Sequence, residues 1–413
     1  MYQCSKDRVK DKIETFSRFG STGNRGITRF SLSKEAIAAR NEFTKRMVAI
    51  GAEIVTDDMA NMYATIAGFG AGLPRIALGS HADSVRNGGN YDGILGVITA
   101  MEVLETVVSE KIPHRHPLTA VIWTNEEGSL YPPAMMSSGV ICGKFDKAAV
   151  LASKGVSAEA GSSEMTFGEA LAASGFAGDE KNRLNPQDYC AMLELHIEQG
   201  PVLEAEKKQI GVVDGVVGMF NYRIKTRGQA DHAGTTPMSF RKDALLAAAS
   251  AIKWIHAELD TFPQDIVYTT GEIKLHPNVH TVIPDDVDFS LDVRHWDPAV
   301  LAQALETIKS IPKEFDNCAV TYKEAWSRAR CEFNKELVGL VEKNTRALGY
   351  SYMIMHSGPG HDAQYVSGML PTTMIFVPSK DGRSHCEEEF TTLDEAWAGV
   401  NVALNTALDI DKK

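Results

Sequence analysis

The chain has no Cys-x-x-Cys spacing, no run approaching the roughly eighteen apolar residues of a membrane span, no excess of basic residues and no Gly-x-Ser-x-Gly turn. Each absence removes a class of protein. The cysteines, Cys4, Cys142, Cys190, Cys318, Cys331 and Cys386, are dispersed, so reduced thiols are expected rather than a disulfide framework or a zinc ribbon. Without the serine turn, an α/β-hydrolase type of serine hydrolase is not expected. A formal net charge of -12 argues against a nucleic-acid partner. It leaves small anionic substrates open, because a few local arginines or cations override the global field. The opening Met1-Tyr-Gln-Cys-Ser-Lys-Asp-Arg lacks the apolar core of a signal peptide. The sequence therefore predicts a cytoplasmic protein with no membrane partner.

What is present is a long chain with ample apolar content. Its 413 residues, 44% of them hydrophobic, suffice for a large core and favour two domains over one. Helical periodicity runs from Ser33 to Ile50, with strand-like stretches at Glu53–Thr56, Met62–Ala67, Arg75–Gly79 and Leu118–Thr124. This is an α/β pattern with a mixed β-sheet flanked by helices. Gly68-Phe-Gly-Ala-Gly72 looks like a dinucleotide loop, but Pro74 and a strand follow it instead of a helix, so a hairpin turn is expected. Strands at Gly218–Arg227, Ile266–Leu275, Val287–Arg294 and Ala319–Lys323 alternate with helices at Phe240–Leu259 and Pro298–Ile311. That β-α-β-β-α-β order predicts an inserted ferredoxin-like α+β domain over 208–325, splitting a first domain of 1–207 and 326–413.

The residues that carry chemistry stand at strand ends and glycine-bearing turns. Ile76-Ala-Leu-Gly-Ser-His81-Ala-Asp83 ends a buried strand on an imidazole with a carboxylate two residues on. Asp92, in Asn87-Gly-Gly-Asn-Tyr-Asp92-Gly93, precedes the helical pattern of Ile94, Val97, Ile98, Met101 and Leu104, a place from which one carboxylate can bridge two cations. Trp123-Thr-Asn-Glu126-Glu127-Gly128 puts two carboxylates after another buried strand. Neighbouring strand side chains point to opposite faces, so one glutamate can hold a metal while the other faces the attacking water. In Leu193-Glu-Leu-His196-Ile-Glu198-Gln199-Gly200-Pro201 the alternation places Glu194, His196 and Glu198 on one face, and Asp381-Gly-Arg-Ser-His385-Cys386 offers a last imidazole. Imidazole and carboxylate donors together suit zinc, manganese, cobalt or nickel. His361, in the Gly358-Pro-Gly-His-Asp362 turn, is the further histidine that could line a pocket.

Taken in order, Gly79-Ser-His-Ala-Asp-Ser84, Gly88-Gly-Asn-Tyr-Asp-Gly93, Thr124-Asn-Glu-Glu-Gly128, His196-Ile-Glu-Gln-Gly-Pro201, His232-Ala-Gly-Thr-Thr-Pro-Met238 and Ser384-His385 resemble the amidase, hydantoinase/carbamoylase family of dinuclear metallopeptidase-like hydrolases. The resemblance implies two divalent metal ions per subunit. Asp92 would bridge them, with His81 and His196 completing one site and Glu127 and His385 the other. It implies Glu126 as general base, Asp83 as the group orienting His81, and the inserted domain as a dimerisation lid. From that lid His232 would stabilise an oxyanion in the partner subunit of a homodimer. Gln199, Asn278 and Arg294 resemble the family's substrate contacts, Arg294 clamping a substrate carboxylate. Read without the resemblance, Arg294 could instead pair with Asp292 on a solvated sheet face. One departure is His280-Thr281, where relatives commonly carry an apolar residue and asparagine.

The expected substrate is a small ureido or N-carbamoyl compound bearing a carboxylate. Trp123-Thr-Asn-Glu-Glu-Gly-Ser129 and Pro133-Ala-Met-Met-Ser-Ser-Gly139 are more similar to N-carbamoyl-L-amino acid hydrolases, whereas Val85-Arg-Asn-Gly-Gly-Asn90 is similar to the allantoate branch. The alternatives are an allantoate or ureidoglycolate amidohydrolase, a β-ureidopropionase, an aminoacylase or dipeptidase, and a binding protein that has lost turnover.

Overall fold

A computed structural model describes residues 1–156, 165–263 and 265–413. It divides into two compact units, residues 1–215 with 332–413 and residues 216–331. The strands, in chain order, are β1 (Glu53–Thr56), β2 (Met62–Ile66), β3 (Arg75–His81), β4 (Leu118–Trp123), β5 (Tyr189–Ile197), β6 (Ile210–Val216), β7 (Gly218–Arg227), β8 (Val267–Thr269), β9 (Ile273–His276), β10 (Asp286–His295), β11 (Glu314–Phe315), β12 (Cys318–Arg328), β13 (Cys331–Glu332), β14 (Tyr352–Ser357) and β15 (Thr372–Val377).

In the first unit the strands are ordered β1-β2-β4-β3-β5-β15-β6-β13, with β14 beside β6. Neighbours β4, β3, β5 and β15 run parallel, while β2 and β6 run antiparallel to β4 and β15. The sequence reading ended this unit at 207, but β6 pairs with β15 and so carries the unit to residue 215. The helix Ile94–Ser109 is buried on nearly every face, as expected of an apolar helix enclosed by a sheet and other helices. Leu393–Asp411 is likewise buried, and it starts in a capping box in which Thr392 and Glu395 satisfy each other's backbone N–H groups. The turn after β2 is not a hairpin: β4 lies between β2 and β3. Phe69 and Gly70 donate instead to the carbonyls of His114 and Arg115.

The second unit is the expected β-α-β-β-α-β arrangement, ordered β11-β12-β7-β10-β8 with β9 also on β10. Val287, Phe289, Leu291 and Val293 point into its core and the intervening residues of β10 do not. Two elements differ from expectation. The first helix begins at Ala244, where Asp243 caps the N–H groups of Leu245 and Leu246, because a cap residue stops the helix from extending back to Phe240. The single strand expected over Ile266–Leu275 is two short ones, β8 and β9, broken at Thr270–Glu272, with a glycine at the break. No helix among the described residues is long and apolar enough to cross a membrane.

Candidate functional site

Because β4, β3, β5 and β15 are parallel, their C-terminal ends open on one edge of the sheet, where ligand crevices form in α/β folds. His81 ends β3 and His196 stands next to last on β5. The glutamate pair follows β4 through Asn125, whose φ is 62°, and His385 follows β15 with φ 57°. Asp92 reaches the same edge just before Gly93, the N-cap of the helix Ile94–Ser109. Gly93 has φ +64°, and a Cβ there would lie 2.2 Å from the His81 ring, so this approach needs glycine.

These residues form two clusters that share Asp92: His81, Asp92 and His196, and Asp92, Glu127 and His385, the ligand atoms of each lying within 4.8 Å of one another. Asp92 Oδ1 is 3.3 Å from Nε2 of both His81 and His196, and Oδ2 is 3.4 Å from His385 Nε2. Glu127 Oε2 lies 3.4 Å from His385 Nε2, and its other carboxylate oxygen is buried with no hydrogen-bond partner. The donor set therefore fits divalent cations. His81 Nδ1 donates to the Asp83 carbonyl at 3.0 Å and His196 Nδ1 to the Ile197 carbonyl at 2.9 Å. A carbonyl only accepts, so both rings carry their proton on Nδ1, leaving Nε2 for a metal.

Asp83 meets His81 through its main-chain carbonyl, with its carboxylate Oδ1 4.0 Å from the same Nδ1. The carboxylate accepts the backbone N–H groups of Glu126 at 3.3 Å and Glu127 at 3.2 Å, and so shapes the turn that presents both glutamates. The two side chains diverge as anticipated, but at the left-handed Asn125 turn rather than on a pleated strand. Glu126 Oε2 stands 3.7 Å from His81 Nε2, while Glu127 faces His385. Glu198 is also reassigned: it accepts from Val202 and Leu203 N–H, capping the short helix Val202–Ala205. Gln199 donates to Asp92 Oδ2 at 2.7 Å.

Burial, reinforced by Asp362, Glu127 and Asp83 and opposed by His81, pushes Glu126 well above the usual carboxylate range. Burial opposes charge on Asp92, but the surrounding imidazoles of His196, His385 and His81 hold it well below that range. Glu127 is pushed up to about 7, chiefly by burial and then by Asp92. His385 is raised to about 9, chiefly by its hydrogen bond to Asp92. At neutral pH the metal-free site thus holds protons that a cation must displace, and metal affinity is expected to rise with pH until His385 has titrated. Calorimetric titration of the metal-free protein at pH 7 in buffers of different ionisation enthalpy is expected to show net proton release. A heat independent of buffer contradicts it.

Sequence reasoning flagged His361 without a role. It is buried, its ring centroid 4.5 Å from that of His196 and its Nε2 3.0 Å from Ser357 Oγ, and it forms a further group with Glu194 and His196. Glu194 is held by Ser80 Oγ at 2.6 Å and Ala363 N at 3.2 Å. Missed altogether were Arg29, buried and donating to the Ala82 carbonyl between His81 and Asp83, and Arg40, buried and donating to Thr124 Oγ1 just before the glutamate turn. Lone arginines in amphipathic stretches give no sequence signal of burial.

In the second unit, His232 is exposed, its Nδ1 accepting from Gly234 N at 3.0 Å. Asn278 is exposed with φ 59°, and His280 is exposed close by. Arg294 donates from Nε to Asp292 Oδ1 at 2.6 Å, the pairing foreseen as the plain alternative to a substrate clamp.

The family model for peptidase family M20/M25/M40 matches residues 77–409. The N-carbamoyl-L-amino-acid amidohydrolase of Paenarthrobacter aurescens is 31% identical over 417 residues, covering 100% of both chains. The allantoate amidohydrolase of Escherichia coli (strain K12) is 33% identical over 399 residues, 96% of this chain and 95% of its own. A crystal structure of an amidase of the hydantoinase/carbamoylase family from Burkholderia multivorans superposes with a TM-score of 0.88 at 35% identity, over 100% of this chain and 99% of that one. Sequence and fold thus agree along the whole chain: it belongs to the M20/M25/M40 peptidase family and, within it, to the hydantoinase/carbamoylase amidases, hydrolases of carbon-nitrogen bonds other than peptide bonds.

Proposed function

We propose that the enzyme hydrolyses the carbamoyl C–N bond of N-carbamoyl-L-amino acids, giving the amino acid, ammonia and carbon dioxide. The observation that carries the hydrolytic reading is the pair of ligand clusters sharing Asp92 with a further buried carboxylate, Glu126, beside His81. Divalent cations held by His81, Asp92, His196, Glu127 and His385, drawn from zinc, manganese, cobalt or nickel, would polarise the ureido carbonyl and make the attacking water more acidic. Glu126, buried beside His81, takes a proton from that water and returns it to the leaving nitrogen. Asp83 keeps Glu126 in place through the turn N–H groups.

Recognition of the substrate is assigned to Gln199, Asn278 and Arg294, with Arg294 forming a bidentate pair with the carboxylate and His232 donating to the oxyanion. The second unit exposes Val267, Ile273 and Leu246 along its β8/β9 edge and first helix, a face suited to association. That supports a homodimer in which His232 of one subunit serves the other.

A second reading, allantoate hydrolysis, is favoured by Val85-Arg-Asn-Gly-Gly-Asn90 and by the similarity to the Escherichia coli relative. The carbamoyl reading rests on the longer stretches Trp123–Ser129 and Pro133–Gly139. Comparing kcat/KM for N-carbamoyl-L-amino acids, N-carbamoyl-β-alanine and allantoate separates them. The proposal expects N-carbamoyl-L-amino acids to lead, and a clear preference for allantoate overturns it.

A further inference from the structure

Glu389 is buried between two segments from opposite parts of the sequence. Its Oε1 accepts the backbone N–H groups of Tyr91 and Asp92, both at 3.0 Å. Its Oε2 lies 2.8 Å from Ser384 Oγ, which is also 3.0 Å from Asp92 Oδ2. The two segments touch again where the rings of Tyr91 and Phe390 meet edge to face at 5.8 Å. Gly89 completes the fit, since a Cβ there would lie 2.2 Å from Glu389 Oε1. One carboxylate thus ties the main chain at Asp92 to the loop that carries His385.

We propose that Glu389 is a positioning residue that, by accepting from the Asp92 backbone N–H and from Ser384 beside His385, fixes Asp92 and His385 at the spacing a shared cation needs. The inference rests on the reading of those two residues as metal ligands. His385 needs such support. It sits in a left-handed backbone conformation, φ 57°, on a loop, and its side chain is 49% exposed, so packing alone does not hold the ring. The carboxylate is suited to the task because it accepts the two backbone N–H groups at one oxygen and faces Ser384 with the other, the single Ser384 proton serving either Glu389 or Asp92 at a time. Groups that orient metal ligands in this way carry part of the affinity.

The role is one of hydrogen bonding, so glutamine should largely replace glutamate. Its amide oxygen can accept from Tyr91 and Asp92, and its nitrogen can donate to Ser384 Oγ, which then donates to Asp92. The test is calorimetric titration of the metal-free full chain with zinc or manganese, together with bound-metal stoichiometry and the melting temperature of the metal-free protein. Glu389→Ala is expected to weaken the ion shared by Asp92, Glu127 and His385 by about 10- to 100-fold. Glu389→Gln should stay close to the unsubstituted protein, and Ser384→Ala should weaken the same ion selectively. Unchanged affinity in Glu389→Ala overturns the inference. So does a loss in Glu389→Gln as large as in Glu389→Ala, because the negative charge would then be what matters. If Glu389→Ala does not fold, unchanged affinity in Ser384→Ala overturns it. Asp92→Ala and His385→Ala serve as controls: if they bind metal like the unsubstituted chain, the ligand reading has failed rather than this inference.

Discussion

Glu126→Gln is expected to lower turnover by about 10²- to 10⁴-fold, the range that a positioned general base contributes, while fold and metal content stay unchanged. Glutamine has nearly the same shape, and the Glu126 backbone N–H that Asp83 accepts is untouched. Neither cluster that shares Asp92 includes Glu126, so the substitution removes a proton acceptor and not a ligand. Its position suits the role, since Glu126 Oε2 is buried 3.7 Å from His81 Nε2, beside the first ligand cluster. Steady-state kinetics beside metal analysis of the same preparation checks the expectation. A Glu126→Gln protein with nearly full turnover contradicts the assignment of the base.

Asp92→Ala is expected to be as damaging by a different route. Asp92 is the one residue common to the two clusters, and its two oxygens face opposite ways, Oδ1 toward His81 and His196, Oδ2 toward His385. Removing it strips a ligand from each cluster and leaves three imidazoles without the carboxylate that balances them. Both ions should bind more weakly and activity should fall at least as far as in Glu126→Gln, with metal content falling as well. Metal analysis after desalting distinguishes the two variants. Full metal content in Asp92→Ala would place the ions elsewhere.

How much of this was legible in the sequence depended on how local each signal was. The ends of β3 and β5 could be read because apolar runs there stop at His81 and His196, and the start of the helix at Ile94 because Asp92-Gly93 precedes a strongly periodic stretch. The alternation in β10 gave its buried face directly. Readings that depended on which strands are neighbours fared worse. The turn at Gly68–Gly72 reads as a hairpin locally, and only the insertion of β4 between β2 and β3 makes it a crossover. Glu198 shares the alternation of Glu194 and His196, yet the chain turns immediately after β5 and its carboxylate meets a helix start instead.

Glu389 shows the same limit most clearly. It ends the run Glu387-Glu388-Glu389, which reads as a solvated acidic stretch, and burial singles it out only when Tyr91 and Asp92 arrive from about three hundred residues earlier in the chain. The helix Leu393–Asp411 is hard to read for a related reason. It is buried on most faces, and periodicity weakens when a helix has no solvated side. Asp83 was recognised as a partner of His81, but whether a residue acts through its carbonyl or its carboxylate is decided by backbone course, which composition does not record.

Catalysis is expected to need the metal-binding clusters around Asp92. The most direct measurement is ammonia release from an N-carbamoyl-L-amino acid by chelator-treated protein, titrated back with zinc, manganese, cobalt or nickel while bound metal is counted. No turnover is expected in the stripped protein, with recovery that reaches its plateau as the second equivalent per chain binds. Undiminished turnover in protein shown to hold no metal would contradict this.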